Sequence, residues 1–158
     1  QIMKNIFWIF GLLMLLTSCG GDDDICLNSD STPRLKLKFR NSNDQLIRMD
    51  TLYIDVDFGK DSLRNTTTAV AVDSVLVPLR IDDSSFTDFY VRTRKAGPRS
   101  KIRVNYEAKS IYVSPACGFK RNYENLKPEL SQPDPVQSIQ TNVTSLTDEN
   151  RINFYLRF

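Results

Sequence analysis

Apolar and basic residues alternate without interruption in Arg34-Leu35-Lys36-Leu37-Lys38-Phe39-Arg40. Successive side chains of a β-strand point to opposite faces, so Leu35, Leu37 and Phe39 share one face and the bases share the other. This pattern predicts a strand with one face buried against a core and the other in water.

The same alternation recurs along the rest of the chain. It predicts inward rows at residues 52–58, 75–81, 89–91, 102–106 and 111–113. Pro78 lies among outward positions and cannot donate to a strand ladder, so it predicts an edge strand. Further elements are predicted as one helical turn at 122–126, an extended proline-bearing loop at 127–135, and strands at 136–143 and 152–158.

These short strands are separated by turn-forming clusters, and no segment keeps a helical period. We therefore expect an all-β fold, an antiparallel β-sandwich that is Ig-like in a loose sense, with about seven to eight strands. The rival architecture is a small outer-membrane β-barrel, which a chain of this size with alternating strands also suits. Spanning strands need about 9–11 residues, and most of the alternating runs are shorter.

The amino terminus carries a targeting signal. Lys4 precedes an apolar run at 6–16, which ends in Leu16-Thr17-Ser18-Cys19. This order is typical of a bacterial lipobox, in which the cysteine is acylated after cleavage. The alternative is a plain secretory signal or a buried helix. The run is too short to span a bilayer, which needs about 20 residues.

We therefore divide the chain into three parts. Residues 1–18 are predicted as a lipoprotein signal peptide, 19–31 as the lipidated Cys19 with a flexible acidic tether, and 32–158 as one sandwich domain. The cluster Asp22-Asp23-Asp24 resembles the surface-export signal of Bacteroidota lipoproteins, although it suits a simple spacer equally well. The predicted location is the outer membrane, lipid-anchored, facing the periplasm or the cell surface.

The chain has three cysteines. With Cys19 assigned to lipid, Cys26 and Cys117 remain, and in an oxidising compartment two such thiols usually form a disulfide. The alternative is two buried free thiols. A catalytic cysteine is not expected, because the chain has no histidine to activate it.

Two cysteine motifs resemble a known family. They are Asp23-Asp24-Ile25-Cys26-Leu27, followed by Thr32-Pro33-Arg34-Leu35, and Val113-Ser114-Pro115-Ala116-Cys117-Gly118-Phe119. Together with the lipobox they are similar to Bacteroidota lipoproteins known only as domain of unknown function 6452. Phe119 lies where that family more often has tyrosine. The resemblance implies a β-rich extracytoplasmic lipoprotein and implies no activity.

Composition narrows the function classes. The formal net charge is +2 with no dominant basic run, so no nucleic-acid partner is expected. The absence of histidine and of phosphate, metal or nucleophile motifs predicts no catalytic residues, no cofactor and no metal.

We expect a non-enzymatic envelope-anchored binding or structural module, attached to the membrane by its lipid and meeting an unknown envelope protein or glycan. The alternative is a carboxylate-based enzyme acting on envelope glycans, for which Asp55 and Asp57 on one strand face are the natural candidates. Four tyrosines fall on outward phases and suit a binding face. They are Tyr53, Tyr90, Tyr112 and Tyr155. Ser62, in a predicted turn, is a candidate O-glycosylation site.

Overall fold

The computed structural model describes residues 26–158, in which the chain forms nine strands and one 3-10 turn, Asn28–Asp30. The strands are β1 (Leu35–Arg40), β2 (Met49–Asp57), β3 (Leu63–Val72), β4 (Ser74–Val77), β5 (Phe86–Arg92), β6 (Ser100–Ser114), β7 (Gly118–Ser131), β8 (Ser138–Thr141) and β9 (Phe154–Arg157). The predicted signal peptide and Cys19 lie outside the described residues and stay predictions.

The strands form two sheets that enclose one core. The four-stranded sheet has the order β4-β1-β9-β8, and the five-stranded sheet has the order β3-β2-β5-β6-β7. Apolar side chains from both sheets meet in a single buried cluster. The described chain is thus all-β with two packed sheets, which confirms the predicted sandwich, and it has nine strands instead of the predicted seven to eight.

Most predicted inward positions are buried, because alternation along a strand places every second side chain on the core face. Fully buried examples are Leu35, Leu37, Phe39, Leu52, Ile54, Val56, Val77, Phe89, Val91, Ile102 and Val104. Two assignments are wrong: Ile81 and Ile111 are exposed. Ile81 follows the end of β4, and Ile111 shares the outward phase of Arg103 on the continuous strand β6. Val113, in the same predicted row as Ile111, is only half-buried.

One strand pair departs from the antiparallel arrangement. β1 pairs antiparallel with the edge strand β4 and parallel with β9, with Leu37 opposite Phe154. Parallel neighbours cannot be joined by a tight turn. The chain between β1 and β9 forms the strands β2 to β8. The first and last strands therefore lie side by side in the middle of the four-stranded sheet.

The strand that the sequence did not predict is β7, which forms a long hairpin with β6. Its residues were predicted as a helical turn at 122–126 and a loop at 127–135, and both assignments are wrong up to Ser131. The register shifts opposite Asn105 and Glu107, and Asn125 has a φ of 54°. This bulge separates the inward residues Tyr123 and Leu126 by three positions instead of two, which imitates helical spacing.

The carboxy-terminal strands are shorter than predicted. The alternation at 136–143 yields a strand only at Ser138–Thr141, and that at 152–158 only at Phe154–Arg157. Val136 and Leu146 are still buried, but they come from irregular segments. Leu146 reaches the core through an isolated bridge to Tyr123.

The predicted disulfide is confirmed. Cys26 and Cys117 are bonded, with their Cα atoms 5.7 Å apart and 91 positions between them in sequence. Cys117 lies in the turn of the β6–β7 hairpin, where Gly118 adopts a φ of 68° that few other residues tolerate. The bond attaches the start of the described chain to the end of this hairpin.

Reduction of the Cys26–Cys117 bond should lower the melting temperature by several degrees. Closing a loop of this length stabilises a fold by about 2–4 kcal/mol, chiefly by restricting the unfolded chain. The Cys26→Ala/Cys117→Ala double variant should melt with reduced wild type, since both lack the same link. Scanning calorimetry with and without reductant measures this, and equal melting temperatures for oxidised and reduced protein would contradict it.

Candidate functional site

The outer face of the five-stranded sheet carries a continuous set of charged and aromatic side chains. We call it the charged face and define it by outward residues of β2, β5 and β6: Tyr53, Asp55, Asp88, Tyr90, Arg92, Lys101 and Arg103. Strand register places them in neighbouring pairs, with Tyr53 opposite Arg92 and Asp88 opposite Arg103. Residues that lie far apart in the chain thus meet on one flat surface.

Asp55 is the centre of the first group. Its side chain accepts a hydrogen bond from Arg92 Nε at 3.1 Å and another from Asn65 Nδ2 at 2.8 Å. The Arg92 guanidinium also lies 5.1 Å from the centroid of the Tyr53 ring. Asp55 is only 8% exposed although it lies on the outer face. Its charge is paired, as a carboxylate in so dry a position requires.

Asp88 is the centre of the second group and is 5% exposed. Arg103 donates to both carboxylate oxygens, from Nε at 2.7 Å and from Nη2 at 2.9 Å. Lys101 Nζ lies 3.2 Å from the same carboxylate. The Arg103 hydrogen bonds hold the pKa of Asp88 below its usual value, although burial opposes this shift.

Cations stack on the aromatic rings of this face. Arg99 lies 4.3 Å from the Tyr90 ring centroid, and Arg103 lies 4.1 Å from that of Phe86. Four bases, Arg92, Arg99, Lys101 and Arg103, surround Asp55 and Asp88 on this surface, and a third acid, Asp57, lies opposite Asp88 on β2. Aromatic rings and planar guanidinium groups on a flat sheet suit a macromolecular ligand with acidic or hydroxyl groups.

The predicted carboxylate pair is divided between two roles. Asp55 belongs to the charged face, whereas Asp57 Oδ1 accepts a hydrogen bond from the Gly59 backbone in the next turn at 2.8 Å. Each of the two buried acids, Asp55 and Asp88, is held by at least one base. Neither carboxylate is thus presented as a free acid or base.

The four outward tyrosines do not share a surface. Tyr53 and Tyr90 belong to the charged face, Tyr155 lies under Arg40 on the four-stranded sheet, and Tyr112 lies near the end of the β6–β7 hairpin. The predicted outward phase is correct for Tyr53, Tyr90 and Tyr155, whereas Tyr112 shares the phase of the core-facing Tyr106 and is exposed because the hairpin extends past the core. Which sheet each would join depends on strand order, which alternation does not encode.

Two other candidate sites lie outside the charged face. A cleft of about 360 Å³ lies beside the loop at 147–150, where Glu149 accepts hydrogen bonds from Arg34 Nε at 2.7 Å and from the Arg34 backbone at 3.0 Å. Ser62 lies in the predicted turn, and its backbone N–H donates to Gly59 O at 3.0 Å. Its glycosylation stays a prediction.

Residues 26–158 show neither a metal cluster nor a spanning helix. No group of three or more cysteine, aspartate or glutamate side chains in this part of the chain is arranged to hold a metal ion. No helix in the same range is long and apolar enough to cross a bilayer.

Replacing Asp88 by Asn should lower the free energy of unfolding by about 1–3 kcal/mol at pH 7, because Arg103 and Lys101 lose their counter-charge. The native pKa of Asp88 is lowered, so its contribution is full above the unfolded value of about 3.9 and disappears as the pH falls through the native value. Wild type and variant should therefore converge in acid.

Urea denaturation at pH 7 and at pH values below 4 measures this difference. Asp50→Asn is the matched control, since Asp50 is exposed on β2, and it should leave the midpoint unchanged at both pH values. Equal midpoints for Asp88→Asn and wild type at pH 7 would show that the ion pair contributes nothing to stability.

Comparison with known protein families identifies the family of this chain. The Family of unknown function (DUF6452) matches residues 51–158, a range that runs from within β2 to the end of the chain and includes Cys117 but not Cys26. No curated protein matches the chain, and no solved structure matches it. Because the match covers more than half of the sequence, the chain belongs to the Family of unknown function (DUF6452).

Proposed function

We propose that this protein is a lipoprotein of the bacterial outer membrane, of the Bacteroidota type, that acts as a non-enzymatic binding or structural module. Cys19 carries the lipid, residues 20–25 form the link, and the sandwich is the working part. The domain faces the periplasm or the cell surface and binds an envelope protein or glycan.

The observation that carries the proposal is the position of the disulfide relative to the lipobox. Cys26 follows Cys19 by seven residues, and its bond to Cys117 joins this segment to the turn of the β6–β7 hairpin. A disulfide is stable in an exported protein and is rare in the cytosol. A covalent connection so close to the anchor also limits how the sandwich can turn relative to the membrane.

The charged face is the surface we assign to the ligand. It is flat, carries two half-buried tyrosine rings with stacked cations, and holds its acids in ion pairs that keep the bases in fixed positions. Preorganised side chains lose less conformational entropy on binding than free ones. A partner with carboxylate, phosphate or sugar hydroxyl groups has the chemistry that this face recognises. Ser62, in the turn between β2 and β3, remains our proposed O-glycosylation site.

Replacing Cys19 by Ala should release the protein from the membrane as a soluble and folded domain. The lipid is the only covalent attachment we propose, and most of the large apolar side chains of the described domain are buried in its core. Fractionation of cells, followed by mass spectrometry of the amino-terminal peptide, measures both the release and the acylation. Wild-type Cys19 without acyl chains, or a Cys19→Ala variant that still needs detergent, would overturn the lipoprotein assignment.

The binding role is tested by placing a photo-crosslinking aromatic amino acid at Tyr90 in the membrane-bound protein. Tyr155 is the matched control, because it also lies half-buried under a guanidinium group but on the other sheet. Irradiation of intact cells should give a defined adduct from position 90 and none from position 155. Adducts from neither position, or equal adducts from both, would contradict a ligand on the charged face.

A further inference from the structure

The distal part of the β6–β7 hairpin leaves the sandwich. β5 pairs with β6 only as far as Asn105, whereas β6 and β7 continue to pair with each other up to Ser114 and Gly118. We call residues 107–124 the arm. Tyr106 and Tyr123 close the core where the arm begins, with their ring centroids 4.8 Å apart.

The outer end of the arm is apolar and uncovered. Tyr112 and Phe119 are cross-strand partners whose ring centroids lie 5.4 Å apart, and we call them the tip pair. They are 57% and 71% exposed. Tyr112 lies four residues past Ala108, which still packs on the core, so the tip pair is displaced by about 13 Å along the strand.

Two more exposed apolar side chains belong to this end of the molecule, one by the disulfide and one by its position on β6. Leu27, next to the disulfide-bonded Cys26, is 63% exposed, and Ile111 precedes Tyr112 on β6 and is also exposed. Among the described residues, half of the large exposed apolar side chains belong to this end of the molecule: Leu27, Ile111, Tyr112 and Phe119. Such a concentration marks a contact surface more often than scattered exposed residues do.

The disulfide holds this surface next to the membrane, an inference that rests on the proposed lipid anchor. Cys19 precedes Cys26 by seven residues, and an extended chain covers at most about 3.6 Å per residue. The anchor point therefore lies within about 25 Å of Cys26 in any conformation of the link. Cys26 is bonded to Cys117, in the turn that ends the arm. The end of the molecule that is held next to the bilayer is the end with the uncovered aromatic pair.

Charge does not oppose this approach. The arm carries three bases, Lys109, Lys120 and Arg121, and two acids, Glu107 and Glu124, so its formal charge is +1. Lys109 is paired with Glu124 at 2.7 Å, and Arg121 is paired with Asp83 at 3.2 Å. Aromatic side chains flanked by Lys and Arg are typical of segments that lie at the lipid–water boundary.

We propose that the tip pair inserts into the interfacial region of the lipid bilayer, so that the arm is a second, non-covalent membrane contact beside the acyl anchor. The two contacts share one end of the domain, and together they hold the sandwich upright. The charged face, which belongs to the same sheet as the arm, then stands roughly perpendicular to the membrane. Insertion is shallow, about 5–10 Å into the boundary between headgroups and acyl chains, the depth typical of interfacial segments.

The test uses the Phe119→Trp variant of the lipoprotein, purified from membranes. The only tryptophan of the chain, Trp8, lies in the predicted signal peptide, so the mature variant contains a single indole. The protein is reconstituted into vesicles of phosphatidylethanolamine and phosphatidylglycerol with bromine at shallow or deep acyl positions. The emission should shift to shorter wavelength and lose intensity, more with shallow bromine than with deep bromine.

Val70→Trp is the matched control, because Val70 is 73% exposed on the edge strand β3, away from the arm. Its emission should stay at long wavelength and be unaffected by bromine. Mass spectrometry of the same sample reports acylation of Cys19. If Cys19 is acylated but bromine does not quench the indole at position 119, the membrane contact is overturned and the proposed function is not. Emission that is blue-shifted but not quenched would show that protein, and not lipid, covers the tip pair. Cys19 without acyl chains overturns the proposed function, and the membrane contact fails with it.

Discussion

The sandwich depends on β1 being held between β4 and β9. Leu37 lies opposite Val75 on one side and opposite Phe154 on the other, so the strand at the centre of the four-stranded sheet gains its second neighbour only from the end of the chain. Leu35, Leu37 and Phe39 are fully buried, and their burial supplies the hydrophobic stabilisation of this layer. Because these contacts join distant segments, loop closure must precede the gain from burial, which favours one cooperative unit.

The functional features of the molecule are arranged along the other sheet. β6 contributes Lys101 and Arg103 to the charged face, and its far end carries Tyr112 in the arm. A single strand thus links the proposed ligand surface to the proposed membrane contact. The bond between Cys26 and Cys117 attaches the start of the described chain to the end of the arm.

Sequence reasoning identified the sandwich class and most of its inward rows, because period-two alternation is a local property. It failed at β7, where the bulge at Asn125 separates Tyr123 from Leu126 by three residues and imitates a helix. It also failed at Ile111, because β6 continues without a change of phase and Ile111 therefore shares the outward side of Arg103. A local pattern shows which side chains share a face and cannot show whether another layer covers that face.

Cysteine count and the predicted compartment were enough to expect the Cys26–Cys117 bond, and strand phase was enough to place Asp55, Asp88 and Tyr90 outside. Pairing Asp88 with Arg103, or separating Tyr155 from Tyr90, required the strand order of the folded molecule. Alternation and turn-forming residues are local features, and the number of cysteines is a feature of composition. The sequence by itself therefore determined the fold class, most of the buried rows and the disulfide. The charged face and the uncovered arm come from contacts between segments far apart in the chain, and only tertiary packing decided them.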